Sequence, residues 1–395
     1  MDPDLFAALR TPAGARALAL ATETTGGDPL RAAATLRAHG VPSDLAAAAL
    51  TQIELRRRAV GKFGPDAARM FFTRAGLEQA TRREVADRRA ARLRSAGVRT
   101  LADLGCGLGA DALAAARAGI RVYGVETEPT TAAMAAANAE AAGLADRFTV
   151  ECADATRFDV GRVDAVFCDP ARRRSGRRVF DPGDYSPPWD FILGLARRVP
   201  RTVVKVAPGI DHALLPPGAE AEWVSVDRDL VEATLWCGPL AAVPRRATLL
   251  SGGTSVELTG DGTAEAPVGE VRRYLYDPDP AVIRAHLVAE FAATVDGVLA
   301  DPAIAYVYAD RARATPYARC LEVTDVLPFS LKRLRALLRD RKVGRMEILK
   351  RGSALDPQRL RHDLRLTGTE AASLVLTRVA GTPTALICQP VIGPP

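Results

Sequence analysis

Leu101-Ala102-Asp103-Leu104-Gly105-Cys106-Gly107-Leu108-Gly109-Ala110-Asp111 is the stretch whose reading decides the fold. It starts as a short apolar strand, breaks at alternating glycines and runs on into an alanine-rich helix over 112–118. A strand that turns through glycines into a helix is a nucleotide cradle. Glycine backbone turns tightly and lets a ligand approach closely. The unpaired N–H groups of the helix's first turn then face that ligand.

Working outward, strand and helix patterns alternate. Strands are predicted over 100–104, 121–125, 148–152, 163–168 and 202–206, with helices over 130–142 and 191–198. That spacing is the mark of a doubly wound parallel sheet. Two further runs, 231–237 and 246–250, are expected to close it as an antiparallel pair. Residues 251–269 are rich in Gly, Thr and Ser, and a boundary is expected between Gly260 and Gly269. Beyond it the pattern predicts a helix over 279–299, strands over 304–309, 318–326 and 344–349, and helices over 330–340 and 357–362. A hairpin over 373–379 and 384–389 is expected to turn across 380–383. The expected organisation is a helical region over 1–95, an α/β nucleotide-binding domain over 96–260 and a small α+β module over 270–395.

The first region carries one helical tract from Ser43 to Arg58 and a second, heavily charged one over 77–94. The arginines of the second, Arg88, Arg89 and Arg92 among them, read as a solvated face. Between the tracts, Phe71-Phe72 reads either as core or as a wall beside the ligand.

Composition sets limits. A chain of 395 residues suggests two or three domains. No apolar run reaches the roughly 20 residues of a membrane helix. The start, Met1-Asp2-Pro3-Asp4, lacks a basic segment followed by an apolar core, so a cytoplasmic protein is expected. The six cysteines are scattered with no C-x-x-C pair, and the four histidines are scattered too, so neither a disulfide framework nor a metal site is expected. The net charge is +6, and from Ala318 onward 14 Lys/Arg stand against 7 Asp/Glu, so the whole positive excess lies in the last fifth of the chain.

The glycines alone do not choose a cofactor, because Gly105-x-Gly107-x-x-Ala110 also satisfies a loose dinucleotide fingerprint. The carboxylates around them do. Asp103 lies two residues before Gly105, Gly109 completes G-x-G-x-G, and Asp111 follows two residues on. An anion beside a diphosphate is repelled. The same anion suits a ligand carrying an amino group and a sulfonium, which is S-adenosylmethionine. Glu126, 21 residues after Gly105, ends the second strand, where a carboxylate can accept from both ribose hydroxyls. Asp154, after the third strand, is placed for an adenine amino group.

The fourth strand ends in Asp169-Pro170-Ala171-Arg172-Arg173-Arg174. Strand ends on this side of an open α/β sheet face the ligand crevice. Asp169, Pro170 and Arg172 are therefore expected beside the transferred methyl group, with Asp169 able to orient or deprotonate a nucleophile. Arg172 to Arg174, with Arg177 and Arg178, read equally as phosphate contacts or as a solvated loop. Lys205 ends the fifth strand and faces the same crevice, or is a surface lysine. Cys237 sits in an apolar strand and reads as structural rather than as a nucleophile. His212, in the loop past the fifth strand, reads as a candidate base or, more simply, as a bland loop residue. Near the C-terminus, Lys332, Arg333, Arg335, Arg339, Arg341, Lys342 and Arg345 crowd a helix whose other face carries Leu331, Leu334, Leu337 and Leu338. A basic helix backed by a leucine stripe reads as a phosphate-facing surface or as a solvated face.

With these residues in view, 71–250 resembles a class I S-adenosylmethionine-dependent methyltransferase with a Rossmann-like sheet. Asp169-Pro170-Ala171-Arg172 is similar to the Asp-Pro-Pro tetrads of nucleic-acid methyltransferases. It departs from them in Ala171 and in lacking the aromatic that stacks on a target base, which argues against methylation of an exocyclic amine. The whole chain resembles a bacterial family that joins such a domain to a C-terminal THUMP-like module. That likeness rests on Phe71-Phe72-Thr73, Gly76-Leu77-Glu78-Gln79-Ala80, Asp-Pro-Ala-Arg and Lys342-Val343-Gly344-Arg345-Met346-Glu347-Ile348-Leu349-Lys350-Arg351-Gly352. The resemblance implies S-adenosylmethionine as cofactor and an RNA partner, tRNA or rRNA. A small-molecule methyltransferase, an RNA-binding protein with a vestigial cofactor site and, more distantly, a dinucleotide-dependent oxidoreductase remain as alternatives.

Overall fold

The computed structural model of the chain describes residues 2–24, 28–172 and 185–391. They divide into two compact units, 1–219 with 234–241, and 220–233 with 242–395.

The first unit opens with helices α1 (Pro3–Leu9), α2 (Pro12–Glu23), α3 (Pro29–Ala38) and α4 (Ser43–Phe63). Asp2 and Thr11 cap α1 and α2, each just ahead of a proline that is preset for the first helical turn. The charged tract expected over 77–94 is two helices, α5 (Arg74–Gln79) and α6 (Arg83–Ser95). The physical reason for the break is Lys62. Its ammonium donates to the carbonyls of Leu77, Glu78 and Ala80 at 2.8, 2.7 and 2.9 Å, taking up the C-terminal carbonyls of α5.

Strands β1 (Thr100–Leu104), β2 (Arg121–Glu126), β3 (Phe148–Cys152) and β4 (Ala165–Cys168) follow, with α7 (Ala110–Arg117) and α8 (Pro129–Ala141) between the first three. A short pair, β5 (Ala171–Arg172) and β6 (Tyr185–Ser186), precedes α9 (Trp189–Arg198) and β7 (Thr202–Val206). The strands pair in parallel in the order β3-β2-β1-β4-β7. The chain winds outward from β1 to β3 and then restarts on the other side of β1 at β4, so the topological switch point lies between β1 and β4. The core beneath is apolar, with Ala112 to Ala116, Ile120, Val122 and Met134 all buried.

The second unit begins with β8 (Glu220–Val226), which the sequence pattern did not suggest, and β9 (Asp229–Trp236), joined through a turn with positive φ at Asp227 and Arg228. The last residues of β9 belong to the first unit. Strand β10 (Arg245–Ser251) pairs in parallel with β8 and antiparallel with β11 (Thr254–Gly260). The expected pairing of 231–237 with 246–250 therefore does not form, because β8 occupies that side of β10. A seven-stranded sheet follows, made of β12 (Tyr274–Pro278), β13 (Val298–Leu299), β14 (Val307–Ala309), β15 (Ala318–Pro328), β16 (Val343–Lys350), β17 (Glu370–Val379) and β18 (Thr382–Pro390). Its order is β13-β14-β12-β15-β18-β17-β16.

The helix expected over 279–299 is two, α10 (Pro280–Arg284) and α11 (Val288–Thr294). His286 takes a left-handed backbone and Leu287 N–H closes on the Val282 carbonyl at 3.0 Å, a Schellman stop. Helices α12 (Leu331–Asp340) and α13 (Pro357–Leu364) pack Leu334, Leu338, Leu360 and Leu364 on the sheet. The last hairpin is tighter than expected. Val379 faces Thr382 across a two-residue turn, Ala380 and Gly381, both at positive φ. Among the described residues no helix is long and apolar enough to cross a membrane.

Candidate active site

Every feature of the glycine loop follows from its place at the switch point. Gly105, Gly107 and Gly109 all have positive φ. A Cβ at Gly109 would lie 2.7 Å from the Phe148 ring and one at Gly105 would lie 3.2 Å from the Asp169 carbonyl, whereas the space beside Gly107 is open. Two of the glycines thus admit the sheet, and the third leaves a cradle. Glu126 props that cradle from the end of β2. One of its oxygens accepts the Gly107 N–H at 3.0 Å and the other the Glu128 N–H at 2.9 Å. Asp154 lies at the adjacent strand end, where Ala153 N–H meets the Glu126 carbonyl at 3.0 Å, and its Oδ1 accepts from Thr156 N–H and Oγ1.

Beneath the loop lies a cluster of charges. Asp103 is 1% exposed, and neither of its carboxyl oxygens has a hydrogen-bond partner among the described residues. Burial first, and then the nearby Asp111 and Asp169, push its pKa well above the carboxylate range, while Arg89 and Lys205 pull the other way. Asp111, in the first turn of α7, accepts from Arg89 and, at 2.6 Å, from Thr81 Oγ1. Lys205 Nζ donates to Asp169 Oδ2 at 2.6 Å and to Thr81 Oγ1 at 3.1 Å. Thr81, in the break between α5 and α6, therefore links the carboxylate of α7 to the one that ends β4.

Of the sequence-predicted residues, the structure brings Asp103, Gly105, Asp111 and Asp169 together, with Glu126 and Asp154 on the neighbouring strand ends. Pro170 leads into β5. The Arg172 backbone pairs with Tyr185, and its side chain, like Arg173, Arg174, Arg177 and Arg178, lies outside the described residues. Lys205 is a partner of Asp169 rather than a surface lysine. Cys237 is buried, and burial pushes its thiol up to about 11. His212 opens a short turn capped by Asp211. All six cysteines are unpaired, and among the described residues no cluster of His, Cys, Asp and Glu could hold a metal.

Several residues went unread in the sequence. Arg89 is not part of a solvated face: it is 4% exposed, with its guanidinium 4.6 Å from the Phe167 ring centroid. Arg92 likewise lies over Trp236 and donates to the Leu240 carbonyl at 2.8 Å. Phe72 is wholly buried, and Phe71 meets the Phe6 ring edge-on, which settles that pair as core. Two buried amides fix this segment. Gln52 and Phe72 exchange hydrogen bonds, while Asn138 accepts from Phe71 N–H and donates to the carbonyls of Phe71 and Leu108. Asn138 thereby ties the segment to the glycine loop.

Comparison with known proteins gives the family. Residues 101–174 match a methyltransferase domain model, residues 318–390 a THUMP domain-like model and residues 2–59 a domain of unknown function. An uncharacterized S-adenosylmethionine-dependent methyltransferase of Mycobacterium tuberculosis is 38% identical over 354 residues, 85% of this chain and 95% of that one. The chain belongs to the S-adenosylmethionine-dependent methyltransferases. A solved protein of Porphyromonas gingivalis W83, provisionally named a methyltransferase, has the same fold, with a TM-score of 0.76 at 21% identity over 95% of this chain and 98% of that one. A 23S rRNA (uracil-C5)-methyltransferase of Acidithiobacillus ferrooxidans is 41% identical over 76 residues, 18% of this chain and 17% of that one.

The residues present fit the cofactor. Two matched ion pairs, Arg89 with Asp111 and Lys205 with Asp169, leave one buried carboxyl, Asp103, over. S-adenosylmethionine carries a sulfonium, an ammonium and a carboxylate, one net positive charge, and so complements that excess. The open face of Gly107 and the uncapped N-terminus of α7 provide the cradle.

Proposed function

We propose that this methyltransferase acts on RNA, tRNA or rRNA, captured by the C-terminal module. The observation that carries the proposal is the face of α12, the turn after it and the start of β16. Lys332, Arg333, Arg339, Lys342 and Arg345 are exposed there and have no carboxylate partner among the described residues, while Leu334 and Leu338 anchor the helix. Unpaired cations on a packed helix are a phosphate-binding surface, because each contact releases condensed counterions. Arg335 and Arg341 have local partners instead, the Asp363 carbonyl and Asp325.

In this reading Asp103 faces the cationic part of the cofactor, Glu126 the ribose and Asp154 the adenine. Gly105, Gly107 and Gly109 shape the loop, and Asp111 fixes α7 beneath it. When bound, S-adenosylmethionine supplies a methyl group on an electron-poor sulfur. Asp169, with Pro170 and Arg172 beside it, orients the acceptor. Lys205 occupies Asp169 Oδ2, so Oδ1 is the oxygen left to accept a hydrogen bond from the acceptor's N–H or O–H. Holding the acceptor in line supplies much of the rate. The pyrimidine-C5 reaction named for the Acidithiobacillus protein needs a thiolate nucleophile, and the raised pKa of buried Cys237 does not suit that role. An RNA substrate also implies a cytoplasmic site of action.

Tritiated methyl transfer to total tRNA and rRNA from cells lacking the protein tests the proposal. Incorporation is expected in one pool. Label in neither, despite cofactor binding, returns the chain to small-molecule chemistry.

A further inference from the structure

We propose that Asp103 gauges the charge of the cofactor: a neutral carboxyl in the cofactor-free protein, it gives up its proton when the cationic methyl donor binds and keeps it when the neutral thioether product binds. The inference rests on the reading that Asp103 faces the cationic part of the cofactor.

The argument starts from charge balance. The four charged groups that act on Asp103 are matched among themselves. From α6, Arg89 holds Asp111 of α7; from β7, Lys205 holds Asp169 at the end of β4. The remaining titratable neighbours are Cys106 in the glycine loop, which also faces Glu126 of β2, and Cys168 of β4. Burial is the first cause that raises both thiols, so they stay neutral and bring no charge. An ionised Asp103 would be an unmatched anion at 1% exposure with no hydrogen bond to either oxygen among the described residues, which is the costly case for a buried charge. Its raised pKa, caused first by burial and then by Asp111 and Asp169, agrees with that balance.

The ligand changes the balance by one unit. S-adenosylmethionine has one net positive charge and S-adenosylhomocysteine none. Methyl transfer breaks the sulfur–carbon bond with both electrons remaining on sulfur, the methyl group bonds to the acceptor, and the acceptor's proton leaves to solvent. A donor-loaded site is neutral with Asp103 ionised, and a product-loaded site is neutral with Asp103 protonated. Completing a cycle therefore returns a proton to Asp103 and the site to its cofactor-free charge state.

Titration calorimetry of the full-length protein with each ligand, repeated in two buffers of different ionisation enthalpy, tests this without any acceptor. The donor's sulfonium lowers the pKa of its own ammonium relative to the product's, so the two ligands are compared in the pH range where the ammonium stays protonated in both. The donor is expected to release up to one proton and to bind up to about tenfold more tightly per pH unit as pH rises towards the Asp103 titration, then level off. The product is expected to release none and to bind with a flat pH profile. Asp103→Asn is expected to abolish the donor's proton release and slope, and to weaken the donor relative to the product by about tenfold or more. Equal proton release for both ligands, none for the donor, or a slope retained in Asp103→Asn each overturns the inference. If that variant does not fold, the buffer comparison on the unaltered protein decides alone. Failure of the donor to bind at all would instead remove the cofactor assignment of Asp103 and the inference with it.

Discussion

Two arginine-rich helices do opposite things in this molecule. Helix α6 carries Arg83, Arg88, Arg89, Arg92 and Arg94, and α12 carries Lys332, Arg333, Arg335 and Arg339. By composition they are alike. In α6 two of the guanidiniums turn inward, Arg89 on Phe167 and Asp111, Arg92 on Trp236. In α12 Leu334 and Leu338 turn inward, Lys332, Arg333 and Arg339 stay in water, and Arg335 donates to the Asp363 carbonyl. A cation on a helix is thus a surface charge or a buried counterion according to what the facing element offers. Helix α6 is offered a carboxylate and aromatic rings, whereas α12 is offered aliphatic side chains on the sheet.

The largest break in that comparison is Arg89→Met. It removes the buried partner of Asp111 and one of the two cations facing Asp103, leaving carboxylates uncompensated in the interior. Loss of one member of a buried pair typically costs about 3–5 kcal/mol. Chemical denaturation should show a midpoint lowered accordingly. A midpoint within about 1 kcal/mol of the parent protein would mean that solvent already screens the pair.

Next comes the same charge removed from the other helix. Lys332→Glu, Arg333→Glu and Arg339→Glu together reverse three exposed cations. Because none is buried, the fold should hold and cofactor affinity should be unchanged. RNA affinity should fall by roughly ten- to a hundredfold at moderate salt, and the slope of log affinity against log salt should flatten by about two for a single-stranded contact. Filter binding over a salt series reads both. An unchanged slope would move the RNA contact off α12.

The same contrast explains what could be read in advance. The glycine loop was legible because backbone geometry demands glycine there, and the carboxylates at the strand ends were legible because the α/β alternation fixes where strands end. Basic α12 was legible because its leucines recur at helical spacing. Arg89 was missed because charge composition outweighed periodicity. Yet it falls on the stripe Val85, Ala86, Arg89, Ala90 and Leu93, every member of which is buried, and a cation on an apolar stripe signals a hidden anion. Gln52 and Asn138 carried the same kind of signal, single amides on the buried faces of α4 and α8. Thr81 carried none, since its role arises from the break that Lys62 creates. Strand β8 was missed because Glu220 and Glu222 interrupt its apolar run, and both are buried, Glu220 against Arg246 and Glu222 against Thr248. In each case the obscured feature is a buried polar group whose partner is distant in sequence.

The finest test keeps the charge and changes only its shape. Arg89→Lys retains a cation but loses the planar guanidinium, which lies 4.6 Å from the Phe167 centroid while also pairing with Asp111. A lysine ammonium can serve the carboxylate or the ring, but it has no flat face to stack on the ring. The expected cost is about 1–2 kcal/mol of stability, from a lost cation–π contact and a poorer ion pair. Arg333→Lys changes the same atoms on a helix where, among the described residues, no ring or carboxylate pairs with them, and it should stay within about 0.5 kcal/mol of the parent protein. Denaturation midpoints of the two variants measure the difference directly. If they agree, α6 uses Arg89 as a charge alone, and the stacking on Phe167 contributes nothing that a lysine would not.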